Sequence, residues 1–310
     1  MKSSINDVLY QKTGLTVSQL AQDLMSRVKG ERIPSISEYE DKFQVSRGTI
    51  QNSLNYLKEQ RAVVLVSRGH LGTCVEDIDY QKLQACSLNR GLLGSMPLAY
   101  SHTYQGLATA LYRTLSLFSV NMVYARGAEY RLQLVAGGVC QFAVCSMHAA
   151  RQAIDDQFPV DIAVDLGPGS YLSRHVLLLR DPHAKGIENG MRVAYDRSSP
   201  DQRQLTELLT RQVKGVHFVD LRAHQTVSAI RSGMIDAGVW NMDEIVESGY
   251  QGLHIVELSK DISADAFSSA ALVVKKGEDA SLLLLQRNVL PDKVREIQNA
   301  VRAGTLAADY

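Results

Sequence analysis

Two groups of polar side chains in this 310-residue sequence have types and spacings suited to binding chemistry. The first is Arg47, Gln51 and Asn55, spaced i, i+4, i+8, with Ser46 and Thr49 beside them and Arg68 and His70 further on. Arg, Gln and Asn carry the donor and acceptor pairs that read base edges, and Arg, Ser and Thr also bind phosphate. Gln51 either pairs with adenine or is simply exposed. The second group follows expected strand ends: Ser101, His102, Thr103, Tyr104 and Ser146, then Asp196, Ser198, Ser199 and Asn241. Ligands of α/β folds bind at such positions, where helix N-termini point. The same Ser and Asp residues serve equally well as helix caps. Arg126 also follows a strand end and suits a carboxylate or phosphate; a surface Arg is the alternative. Tyr171, in Gly167-Pro168-Gly169-Ser170-Tyr171, either faces a cleft or belongs to a turn.

Reactive constellations are missing. There is no Gly-x-Ser-x-Gly, Walker loop or His-Glu-x-x-His, the eight histidines lack metal-ligand spacing, and Gly167-x-Gly169 lacks the third glycine of a dinucleotide loop. No catalytic residue, metal or cofactor is expected.

The elements that must hold the first group are a helix and a hairpin. Ile50, Leu54 and Leu57 repeat at i, i+4, i+7 and define a buried helical face, with Ser46 as N-cap. Val63–Val66 and Leu71–Val75 flank Ser67-Arg68-Gly69-His70 as the two arms of a hairpin. Upstream, Val17, Leu20, Ala21, Leu24, Met25 and Val28 predict a helix over Thr16–Lys29, and Ser4–Gln11 suits a short one. Ser35 caps the helix that ends near Lys42.

This stretch resembles the DNA-binding domain of GntR-type regulators. The resemblance rests on Gly30-Glu31-Arg32-Ile33-Pro34-Ser35, on Phe43-Gln44-Val45-Ser46-Arg47-Gly48-Thr49-Ile50, and on Gly72-Thr73 before Val75. It implies a winged helix-turn-helix, with Ser35, Ser46, Arg47, Thr49, Gln51, Asn55, Arg68 and His70 toward operator DNA. The sequence departs from the family at Ile36-Ser37, at Gln51, and in the spacing of Gly69 and Gly72.

From Pro97 onward, strands alternate with helices, which argues for βαβ units and a mainly parallel sheet. Strands are expected at Leu98–Tyr100, Asn121–Ala125, Phe142–Cys145, Asp161–Leu166, Val193–Tyr195, Val216–Val219, Gly238–Trp240 and His254–Leu258. Two stretches match at an offset of 95 residues: Leu98–Ser101 over Val193–Asp196, and Gly138–Ser146 over Gly233–Asn241. That predicts a structural repeat. The apolar strands His175–Arg180 and Ser269–Lys276 suit the crossovers between two lobes, and Pro291–Ala303 is an amphipathic helix. This half resembles the type II periplasmic-binding-protein fold, and the whole chain resembles YhfZ-type regulators.

The expected division is a winged-helix head at 1–76, a linker at 77–96, and a two-lobed α/β domain at 97–310. Lobe 1 takes about 97–175 and 265–310, and lobe 2 about 180–264. The formal net charge is zero, yet residues 42–68 hold five basic residues against one acidic, so positive charge gathers on the helix and hairpin. The four cysteines have no zinc or disulfide spacing. Met1–Leu9 has no apolar signal core, and no apolar run is long enough to span a membrane. These readings predict a cytoplasmic, homodimeric transcriptional regulator. Its expected partners are operator DNA and a small polar, anionic effector. The alternatives are an enzyme fused to a DNA-binding head, and a regulator whose second domain only dimerises or binds protein.

Overall fold

The computed structural model describes residues 12–87, 92–259, 262 and 264–310. The helix expected over Ser4–Gln11 lies outside the described residues. The chain forms two compact units. The first takes the described residues up to Leu92 with Leu115–Asn121 and Glu278–Asn288, and the second takes the rest.

The first unit opens with α1 (Lys12–Met25), α2 (Ile36–Phe43) and α3 (Arg47–Glu59). α1 starts earlier than expected, so Thr16 is a buried mid-helix residue rather than a cap, and Val28 is exposed beyond its end. The α2–α3 turn needs a left-handed residue, which is Gln44 at φ 54°. Short polar side chains begin both helices. Ser35 Oγ accepts from Glu38 N at 3.3 Å while Ser35 N donates to Glu38 Oε2 at 2.6 Å. Ser46 Oγ accepts from Thr49 N at 3.3 Å. Ile50, Leu54 and Leu57 are buried against Leu20, Leu24 and Tyr39. Each such side chain contributes about 1.5–3 kcal/mol of burial.

An antiparallel hairpin follows: β1 (Val63–Ser67) pairs with β2 (Thr73–Ile78), Ser67 opposite Thr73. α4 (Tyr80–Cys86) then packs on α1. Asp23, almost fully buried, fixes the helices. It accepts from Tyr39 Oη and Lys42 Nζ, both at 2.8 Å, and from Arg27 at 3.3 Å.

The second unit contains two five-stranded sheets. Its first strand is β3 (Leu92–Met96), followed by α5 (His102–Thr114), β4 (Val120–Tyr124), α6 (Ala128–Ala136), β5 (Phe142–Ser146), α7 (Met147–Asp155) and β6 (Val160–Asp165). Next come β7 (His175–Leu179), β8 (Arg192–Tyr195), α8 (Pro200–Thr210), β9 (His217–Asp220), α9 (Thr226–Arg231), β10 (Ala237–Asn241), α10 (Met242–Glu247) and β11 (His254–Glu257). The chain closes with α11 (Asp265–Ser268), β12 (Ala270–Lys275), α12 (Asp279–Asn288), which belongs to the first unit, and α13 (Pro291–Arg302).

The sheet orders are β4-β3-β5-β12-β6 and β9-β8-β10-β7-β11. Place for place they match, and in each the fourth strand is a crossover from beyond its own half. Both crossovers run antiparallel to their neighbours: β12 to β5 and β6, β7 to β10 and β11. The sheets are therefore mixed rather than mainly parallel. β5 and β10 occupy equivalent places 95 residues apart. The other expected match fails, because Leu98–Tyr100 is not a strand and β3 lies upstream of it. Gly94 looks like a breaker in sequence but is a packing residue: a Cβ there would sit 2.2 Å from the Phe142 ring. α13 crosses α5 closely, and Gln298 donates to Thr103 O at 2.9 Å and Ser170 O at 2.8 Å. The four cysteines are free thiols, and burial pushes Cys145 up to about 12, so it stays protonated.

Candidate functional site

The first candidate surface is the exposed row of α3. Arg47, Gln51 and Asn55 stand exposed on successive turns, beside the buried row of Ile50, Leu54 and Leu57. Ser46 and Thr49 hydroxyls lie 2.9 Å apart at the helix start, so one fixes the other. Ser35 is exposed at the start of α2. Between β1 and β2 a single 3-10 turn, Gly69–Leu71, carries His70 outward. Arg68 beside it is half-exposed and reaches Glu76 at 3.6 Å.

Elsewhere in the first unit, α12 is held to the loop after α1. Arg287 donates to Glu31 at 2.8 Å and 3.3 Å and also to the Ser26 carbonyl. Burial works to raise the Glu31 pKa, but hydrogen bonds from Arg287, Val28 N and Arg27 outweigh it and hold the carboxyl below its usual value.

The second candidate site is a cleft between the two sheets of the second unit. Its volume is about 110 Å³. Tyr104, Arg126 and Tyr171 line it from the first sheet's side, and Asp196, Ser198, Ser199 and Asn241 from the second's. Ser101, His102, Thr103 and Ser146 are not among its lining residues. Ser101 is buried as a cap, accepting from Tyr104 N at 3.2 Å. His102 N and Nδ1 meet Glu247 Oε2 at 2.6 Å and 2.9 Å. Thr103 is buried and its carbonyl is taken by Gln298. Ser146 caps α7 at Ala149 N, 3.0 Å, and donates to Asp201 Oδ1 at 2.7 Å.

Asp196 does structural work within the cleft wall. Its Oδ1 accepts from Ser198 N at 2.9 Å and Ser198 Oγ at 2.6 Å, and its Oδ2 accepts from Ala223 N at 2.8 Å. It thereby fixes the 3-10 turn Ala223–Gln225, beside which Arg222 and His224 line the cleft.

The sequence reading missed one buried charged group. Arg131 is 2% exposed and lines the cleft. Its guanidinium donates to Val144 O at 2.9 Å, Ala125 O at 2.8 Å and Tyr171 Oη at 3.1 Å. No carboxylate among the described residues forms an ion pair with it. The signal was present in the sequence: Arg131 falls on the same α6 face as Ala128, Leu132 and Val135, where a charge is out of place without a purpose.

Two further donors are unpartnered and buried at this wall. Among the described residues Trp240 Nε1 and Asn241 Nδ2 have no hydrogen-bond acceptor, the Asn241 Oδ1 being taken by Asp243 N at 2.9 Å. His175 Nδ1 is likewise unpartnered, and burial lowers His175 to about 4, so it is neutral. Burial pushes Asp201 up to about 7, against the opposing effects of Ser146 and Arg131. Burial also raises Glu244 to about 7, with Arg126 pulling the other way. Unsatisfied buried donors are costly, and a bound acceptor is the usual remedy. No group of three or more His, Cys, Asp or Glu that could hold a metal occurs among the described residues.

A helix-turn-helix with a wing, together with two matched sheets flanking a polar cleft, defines a helix-turn-helix protein with a periplasmic-binding-protein-like domain. The chain belongs to the YhfZ family: the model of the YhfZ C-terminal domain matches residues 79–310. A helix-turn-helix model matches residues 28–75. The chain is 28% identical to YhfZ of Escherichia coli K12 over 280 residues, 90% of this chain and 91% of that protein. The crystal structure of YhfZ from Shigella flexneri superposes with a TM-score of 0.60 at 27% identity, covering 71% of this chain and 93% of that one. The periplasmic aliphatic sulphonate binding protein SsuA of Escherichia coli shares the fold, with a TM-score of 0.53 at 14% identity over 69% of this chain and 74% of that one. No helix among the described residues is long and apolar enough to cross a membrane.

Proposed function

We propose that this protein is a cytoplasmic transcriptional regulator that binds operator DNA through a GntR-type head, about residues 1–76. It senses a small polar, anionic metabolite in the cleft of its C-terminal domain, which opens with β3 rather than at residue 97, so the expected link at 77–96 is shortened to the stretch between α4 and β3. One observation carries the sensing half. Arg131 is a permanently charged group, almost fully buried, with no carboxylate ion partner among the described residues. Burying such a charge is expensive unless a counter-charge arrives. Trp240 and Asn241 present unpartnered donors in the same cleft. An anion from solution satisfies all three.

The DNA half rests on the exposed Arg47, Gln51 and Asn55 row and the Arg68–His70 wing tip, with Ser35, Ser46 and Thr49 as phosphate contacts. A homodimer follows from the short reach of one winged helix, since two copies read two half-sites.

Fluorescence anisotropy on DNA from upstream of the protein's own gene tests the whole reading. The chain should bind that DNA as a dimer, and the low-molecular-weight fraction of a cell extract should change its affinity. Equal affinity for unrelated DNA, unchanged by the extract, contradicts the proposal.

A further inference from the structure

The cleft offers unpaired positive charge at two separate places. The inner place is Arg131, buried on α6, with the Trp240 and Asn241 donors at the same wall. The outer place is the pair Arg126 and Arg222, both exposed, one following β4 and the other following β9. Among the described residues none of the three guanidinia is in an ion pair. The outer two stand close to His224. Burial first, and then the charges of Arg126 and Arg222, hold that imidazole below its usual pKa. Two arginines from opposite sides of a mouth repel one another until an anion lies between them.

The acidic groups nearby do not serve that purpose. Both Asp196 oxygens are committed to Ser198 and Ala223. Asp201 is hydrogen-bonded to Ser146, and burial raises it to about 7, which disfavours its charged form. Among the described residues, Glu244 is the one carboxylate near Arg126 with an unpartnered buried oxygen, and burial favours its neutral form too. The arrangement therefore favours oxyanions at both ends over an ammonium group at one end.

We infer that the effector is a small diacid, one oxyanion seated on Arg131, Trp240 and Asn241 and the second held between Arg126 and Arg222. The inference rests on the sensing reading above and gives it a ligand class. A cleft of about 110 Å³ suits a short spacer between the acidic groups. Carboxylate and phosphoryl groups share this chemistry, and both accept two-pronged bonds from guanidinium. A diacid also gives closure a source of energy, because its outer group touches both sides only when they are together.

The test is calorimetric titration of the full chain with matched probes. Glutarate and 3-phosphonopropionate are diacids, butyrate and propylphosphonate have one acid, and 4-aminobutyrate replaces the second acid with an amine. A diacid should bind at least about tenfold more tightly than its single-acid partner, the scale of one charge-assisted contact. Whichever of glutarate and 3-phosphonopropionate is tighter distinguishes a dicarboxylate from a phosphoryl acid. Arg222→Gln, an exposed change that should leave the fold intact, should abolish the diacid advantage and leave butyrate unchanged. Butyrate or 4-aminobutyrate binding as tightly as the best diacid would overturn the inference while leaving an anion sensor. Failure of every probe, with no molecule from an extract binding, overturns the sensing reading itself.

Discussion

Glu247, on α10, accepts a hydrogen bond from His102 N, the first amide of α5, at 2.6 Å, and its Oε2 lies 2.9 Å from His102 Nδ1. The open amides of a helix N-terminus attract anions. Here the anion is the protein's own, brought from the other half of the second unit. This contact and the Ser146–Asp201 hydrogen bond both join elements on either side of the cleft.

Glu247→Ala should therefore favour the open form. The lost contact is half-exposed, so its net worth is about 1 kcal/mol, roughly a fivefold change in the open–closed ratio. Small-angle scattering should show a larger radius of gyration for the variant than for the wild type. Identical curves would mean that the contact is incidental.

Asp201→Asn should change the pH dependence of stability. Burial pushes the folded carboxyl up to about 7, above its usual value of 3.8. Its contribution is thus fully present below about 4 and is lost as pH rises through 7. His175, lowered to about 4, acts in the opposite direction over part of the same range. The variant shares His175, so the difference between the two proteins isolates Asp201. Denaturant titrations should show the variant gaining on the wild type between pH 4 and 7, by on the order of 2–4 kcal/mol at the upper end. A difference that is flat with pH would contradict this assignment.

Arg47→Ala should weaken specific DNA binding by about 1–3 kcal/mol if Arg47 makes a two-pronged base contact. Arg68→Ala should weaken binding to all sequences about equally and reduce the salt slope by about one. Anisotropy at several salt concentrations separates the two signatures. Wild-type affinity in both variants would remove α3 and the wing from the interface.

Arg287→Ala removes the hydrogen bonds by which α12 holds Glu31 and the Ser26 carbonyl. With these groups part-buried, about 1–2 kcal/mol of the head's stability should be lost. Hydrogen exchange should quicken in α1 and the Ser26–Glu31 loop, while β5 and β10 keep their protection. Unchanged exchange at Ser26–Glu31 would show that α12 does not brace the head.

The head was readable from sequence because its signals are local. Ser35 and Ser46 are true caps, and Ile50, Leu54 and Leu57 form one buried face, as a helical period requires. In the second unit the 95-residue match placed β5 and β10 because both are fully buried strands ending on a polar residue that caps the next helix. The first strand was misplaced because Gly94 reads as a turn until the Phe142 ring above it is seen. The cleft was only half legible. Tyr104, Arg126, Asp196, Ser198, Ser199 and Asn241 follow from strand ends and Tyr171 from the Gly167–Tyr171 turn, whereas Arg131, Arg222 and Trp240 are brought in by packing between distant segments. Ser101, His102 and Ser146 occupy the expected helix starts, but local caps and cross-cleft carboxylates take up their hydrogen-bonding groups.

The most direct test of the central claim is native mass spectrometry of the gently purified full chain, with Arg131→Met beside it and circular dichroism as a check that the variant folds. A buried guanidinium awaiting a counter-charge predicts a small anionic molecule retained by the wild type and lost from Arg131→Met. A folded Arg131→Met protein that carries the same molecule in the same proportion would contradict the account.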